Sequence, residues 1–140
     1  MSVIIALEGK PSKGKSATIN LLFNLMNRSG FKIFQNKKRA NSHDFFAIFE
    51  KNGKKIGVTS YGDNVELLRG KYEIFVNKGC TILVSASRPD GSIKALVDNY
   101  PGFSTIHHTK TLVDDIDIAG QRRANEDDAQ SLLEMIESNL

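Results

Sequence analysis

The chain has 140 residues, ordinary hydrophobic (40%) and charged (25%) shares and a single cysteine, Cys80. That length suits one domain, taken as residues 1–140, able to bury roughly two-thirds of the surface of its unfolded chain; one cysteine excludes an intrachain disulfide and argues against a thiolate metal site. A net charge of +3 and a pI of about 9.0 are too mild to indicate a nucleic-acid partner, and no apolar run approaches the ~18 residues of a membrane span, so a cytoplasmic protein without a membrane partner is expected.

Val3–Leu7 is a short continuous apolar run, read as a buried strand rather than a signal peptide. Gly14 to Arg28 reads as a helix with Ile19, Leu22, Phe23 and Met26 on one face and Gly30 beyond its end. Phe31–Phe34 reads as a second strand, and Gln35–His43 as polar and irregular. Phe45–Phe49 and Ile56–Ser60 flank Asn52-Gly53, the dipeptide that suits a type I′ hairpin turn because both central residues need positive φ. A helix follows over Asn64–Asn77, with Val65, Leu68, Tyr72 and Phe75 on one face. Then come a strand over Cys80–Val84, a turn at Pro89-Asp90-Gly91, a helix over Ser92–Asn99 and a strand over Phe103–His107. Lys110–Arg123 carries no clear pattern. Asn125 can cap a last helix, Glu126–Asn139, with Ala129, Leu132, Leu133 and Ile136 inward and Asp127 and Asp128 in its first turn, where the helix dipole favours acids. The runs Lys32–Arg39, Lys51–Lys55 and Asp114–Asp117 read as solvated loops. Strands alternating with helices predict an α/β domain of three layers, its mainly parallel sheet carrying one antiparallel edge strand from the hairpin.

One segment carries chemistry. Gly9-Lys10-Pro11-Ser12-Lys13-Gly14-Lys15-Ser16 fits G-x-x-x-x-G-K-S/T, between a buried strand and an amphipathic helix. The glycines permit backbone conformations that a Cβ forbids. Backbone N–H groups and the helix dipole then face the phosphates. Lys15 is expected to reach the β- and γ-phosphates and Ser16 to offer its hydroxyl to Mg²⁺. Lys10, Lys13 and Ala17 complete the expected phosphate-binding set.

On these residues the chain resembles the P-loop NTPase superfamily, most specifically over Val3–Arg28. The resemblance implies ATP or GTP with Mg²⁺, bound at the C-terminal edge of the sheet. Lys10 occupies the position of the second lysine in the deviant loops of ParA and MinD ATPases, G-K-G-G-x-G-K-S/T, but Pro11-Ser12 replace their two glycines. Ras-like GTPases follow a strand hairpin with D-x-x-G. Here the segment is Thr59-Ser60-Tyr61-Gly62, so Gly62 fits and the aspartate does not. Asp63 is the remaining carboxylate for the metal or the attacking group, or else the N-cap of the helix that follows. The guanine pattern N-K-x-D is absent after Val84, where Ser85-Ala86-Ser87-Arg88 stands, so ATP is expected ahead of GTP. Arg88 follows a core strand and either stabilises phosphate charge or forms a surface ion pair. Arg122 and Arg123 are later candidates of the same kind. His107-His108 is poor as a chelate, because neighbours on a strand face opposite ways. Ser42 and Asp44, flanking His43, precede the hairpin in the position of a switch-like loop. Cys80 and Phe45, Phe46, Phe49 and Phe103 read as packing.

Three functions fit: a small Mg-dependent ATPase cleaving the β–γ bond, a small-molecule or nucleotide kinase, and a non-catalytic nucleotide-dependent module whose occupancy changes a protein or homodimer interface. The chain has few arginines for a kinase lid, which favours the first and third.

Overall fold

A computed structural model describes residues 2–10, 14–38, 44–62 and 64–140. The elements in chain order are β1 (Ser2–Glu8), α1 (Lys15–Arg28), β2 (Lys32–Lys38), β3 (Phe45–Lys51), β4 (Lys54–Thr59), α2 (Val65–Asn77), β5 (Cys80–Ser87), α3 (Gly91–Asn99), β6 (Phe103–Thr109) and α4 (Ile118–Ser138). The sheet has six strands in the order β2-β3-β4-β5-β1-β6. β1 pairs in parallel with β5 and β6, and β4 with β5. β3 runs antiparallel to both β2 and β4.

The predicted hairpin is β3–β4, turned by Asn52 (φ 54°) and Gly53 (φ 76°), the positive angles that a type I′ turn demands. Its antiparallel strand is not the edge. β2 lies outside it, because the pairing continues beyond Phe34 through Gln35, Asn36, Lys37 and Lys38, a stretch expected to be irregular. A lysine-bearing edge strand resists pairing with another chain. β1 lies second from the β6 edge, buried between β5 and β6.

Successive β1 residues point to opposite faces, and each face has its own core. Val3, Ile5 and Leu7 pack with Ile19, Leu22 and Met26 of α1 and Leu132, Leu133 and Ile136 of α4. Ile4 and Ala6 pack with Leu68, Tyr72 and Phe75 of α2 and Ile93 and Val97 of α3. The result is three layers, helix–sheet–helix. Lys51, expected in a solvated run, donates to Ser29 O after α1, and Lys55 to Lys78 O after α2, so these cations meet the negative ends of helices. Among the described residues no helix is long and apolar enough to cross a membrane.

α4 begins at Ile118, two turns before the expected start. Its N-cap is Asp117, whose Oδ1 accepts from Gly120 N at 2.9 Å, so Asn125 is no cap and Asp127 and Asp128 are not in a first turn. The early start follows from the acidic run itself. Asp114 accepts from Ile116 N and Asp117 N, forming the turn that launches the helix.

Candidate functional site

β1, β4, β5 and β6 are parallel, so their C-terminal ends share one edge of the sheet. The segments after them hold most of the candidate residues. Ligands of open α/β sheets bind along this edge.

The 9–16 segment is anchored at both ends. Gly9 N donates to Ser87 O of β5 at 3.1 Å, and Lys110 N donates to Glu8 O at 2.8 Å, which pins the start of the segment between two strands. At the other end Gly14 precedes α1 with φ 85°. That φ favours glycine, and a Cβ there would sit 2.8 Å from Asn125 Oδ1, forcing that side chain to shift. The first bond of α1 runs from Thr18 N to Gly14 O. The N–H groups before Thr18, including those of Ser16 and Ala17, therefore have no carbonyl inside the helix, which is the general basis of anion binding at helix N-termini. Lys15 is buried, and its ammonium turns back along the segment to donate to Gly9 O and, at 3.0 Å, to Lys10 O.

Ser16 Oγ is buried without a hydrogen-bond partner among the described residues. A buried hydroxyl normally has a partner, so this oxygen suits an added ligand such as a metal. The described residues hold no group of three or more histidine, cysteine or acidic side chains able to cage an ion. Mg²⁺ fits that donor set, because it is commonly held by one or two protein oxygens plus phosphates and waters.

Lys10 and Arg88 line one cleft with Asp90 and Ser92 at the start of α3, so two candidate cations from separate segments meet there. Gly62 is buried against β5, where a Cβ would lie 2.8 Å from that of Ala86. Thr59 is buried as well. Its hydroxyl donates to Phe45 O at 2.9 Å and accepts from Tyr61 N, so it closes the hairpin. The N-cap of α2 is Asn64, whose Oδ1 accepts from Glu66 N and Leu67 N. The cap role considered for Asp63 therefore belongs to its neighbour. Asp63 and Lys13 lie outside the described residues, as do Ser42 and His43. Arg122 and Arg123 are exposed on α4.

The two histidines diverge as their strand position demands. His107 Nε2 lies 2.8 Å from Asp98 of α3, and His108 Nε2 lies 2.9 Å from Asp128 of α4. Cys80 is buried, and burial pushes its thiol up to about 12, which makes it an unreactive core residue.

Sequence reasoning missed the groups that brace the segment from behind. Lys110 is 2% exposed, and its stem lies against the first and second glycines: its Cβ would be 3.1 Å from a Cβ at Gly9, and its Cε 3.4 Å from one at Gly14. Its ammonium lies 2.8 Å from Asp128 Oδ2. Asp128 also accepts from Thr111 N and Thr111 Oγ1 and contacts His108. Burial alone would raise the Asp128 pKa; the hydrogen bonds from Lys110, His108 and Thr111 outweigh it and hold the carboxyl down at about 2. One turn earlier on α4, Asn125 Oδ1 lies 3.2 Å from Thr18 Oγ1, whose hydroxyl also reaches Gly14 O at 2.8 Å. The signal lay in spacing. Asn125 and Asp128 fall three apart, on the same helix side as Ala129 and Leu132.

The fold and site define a three-layer α/β domain in which a segment bounded by Gly9 and Gly14 leads into Lys15-Ser16 at the C-terminal edge of its sheet. Set against family models, curated proteins and solved structures, the chain matches none of them.

Proposed function

We propose that the chain binds a nucleoside triphosphate with Mg²⁺ through Gly9–Ser16 and hydrolyses its β–γ bond, with ATP preferred. The observation that carries this reading is the pairing of a buried Lys15 ammonium, turned onto the segment's own carbonyls, with an unpartnered Ser16 hydroxyl at the start of α1. A phosphate chain held there would draw Lys15 from Gly9 O and Lys10 O and take the N–H groups of the first turn as donors. Ser16 would hold the Mg²⁺, which supplies charge neutralisation to the phosphates. Lys10 and Arg88, sharing the neighbouring cleft, would place positive charge beside the negative charge that develops on the leaving and transferred groups. Asp63 is proposed to orient the attacking water. Gly62, the residue before it in the chain, is buried against Ala86 of β5.

Incubation with labelled ATP and GTP, with and without a panel of acceptors, tests this. Phosphate released to water supports the ATPase. Transfer to an acceptor would instead support a kinase, and binding without turnover a nucleotide-dependent module.

A further inference from the structure

The two edges of the sheet carry surfaces of opposite character. Leu112, Ile116 and Ile118 are 69%, 87% and 71% exposed. Single exposed apolar side chains are ordinary, but three large ones between positions 112 and 118 mark a contact surface. The 112–118 segment is also held in shape: Gln121 Nε2 donates to Asp114 O at 3.0 Å and to Asp115 O at 2.8 Å, and Asp114 Oδ1 accepts from Ile116 N at 3.2 Å. Exposed Asp114, Asp115 and Asp117 add negative charge among its apolar groups. The opposite surface lies on β2. Phe34 is 51% exposed, Lys55 Nζ sits 4.2 Å from its ring centroid, and Lys32 and Lys37 are exposed on the same strand.

We propose that copies of this protein associate head to tail, the 112–118 segment of one docking on the Phe34 surface of the next. Charge complementarity selects a second copy as the partner: the aspartates of the first surface match the lysines of the second, and each surface offers exposed apolar groups. The two surfaces cannot meet within one molecule. One follows β6 and the other is on β2, the outermost strands of the order β2-β3-β4-β5-β1-β6, five strand spacings or about 24 Å apart. Lysines along β2 repel another β2 edge but attract the aspartates, so like surfaces do not pair. A contact between unlike surfaces repeats from copy to copy instead of pairing one patch with itself as a two-fold dimer does. A single short segment buries less than the ~800 Å² a side of a stable complex, so the association is weak, on the order of tens of micromolar, and sensitive to salt.

Sedimentation velocity of the intact chain, from about 5 to about 500 μM, tests this. The average mass is expected to rise past that of two 15.5 kDa chains, and to fall back as salt is raised from about 0.05 to about 0.5 M. Ile116→Ser and Phe34→Glu each spoil one surface and leave the other intact, so each alone should associate at least about tenfold more weakly than wild type. An equimolar mixture should recover a 1:1 dimer and nothing larger, joining the sound Phe34 surface of one variant to the sound 112–118 segment of the other. Circular dichroism checks folding, and Phe34→Ser replaces Phe34→Glu if the latter does not fold. A wild type that stays monomeric or stops at a dimer, a variant that associates as wild type does, or a mixture that stays monomeric would overturn the proposal.

Discussion

Lys110 Nζ lies 2.8 Å from Asp128 Oδ2, with the two side chains 1% and 3% exposed, and the lysine stem runs behind both glycines of the 9–16 segment. A buried ion pair adds little net stability over a well-packed apolar pair, but removing one member strands the other charge. Asp128→Ala should therefore lower unfolding free energy by about 3–5 kcal/mol, read from urea denaturation. The double variant Lys110→Met, Asp128→Leu should recover most of that loss. A single Asp128→Ala protein as stable as wild type would remove the brace from this account.

The same carboxylate makes stability depend on acid. Its pKa is held down to about 2 in the folded chain, against about 3.9 unfolded. The unfolded state then binds the proton first as pH falls. The contribution is fully present above about pH 4 and disappears as pH falls toward about 2, amounting to roughly 2–3 kcal/mol at neutral pH. Denaturation midpoints measured from pH 5 to pH 2 should fall less steeply in Asp128→Asn than in wild type.

Gly14→Ala tests the junction of the segment with α1. The position has φ 85°, and the new methyl would sit 2.8 Å from Asn125 Oδ1. A loss of roughly 1–3 kcal/mol of stability is expected from the backbone strain, with nucleotide affinity reduced as well. Ala tolerated with unchanged affinity would mean that the turn is not shaped as described.

Much of this edge of the sheet was legible in the sequence, and the reasons are local. Val3–Leu7 is apolar throughout because β1 is covered on both faces, and Asn52-Gly53 specifies its turn through φ alone. What could not be read depends on tertiary partners. Gln35–Lys38 looks irregular because an edge strand needs no apolar alternation, only the backbone of β3 to pair with. Lys110 carries no pattern at all, since its burial is made possible by Asp128, eighteen positions on. Asp127 and Asp128 suit a helix start by composition, yet Asp117 takes the cap and Asp128 turns inward. The motif itself was visible at Gly9–Ser16, while the residues that brace it were not.

Asn64 and Asp63, adjacent in the chain, allow the cap and the proposed chemistry to be tested separately. Asn64 Oδ1 accepts two N–H groups of α2, so Asn64→Ala should lower stability by about 1 kcal/mol and leave turnover per folded molecule unchanged. Asp63→Asn should leave nucleotide affinity largely intact and suppress phosphate release. Hydrolysis unaffected by Asp63→Asn would remove that residue from the proposed reaction.

The most direct measurement is MgATP binding to the wild-type chain and to Lys15→Ala, by calorimetry, with folding of both checked by circular dichroism. The account predicts saturable binding to wild type and none measurable in the variant, because the segment loses its buried cation. Equal binding of ATP and GTP by a folded Lys15→Ala protein, or no binding by the wild type, would contradict it.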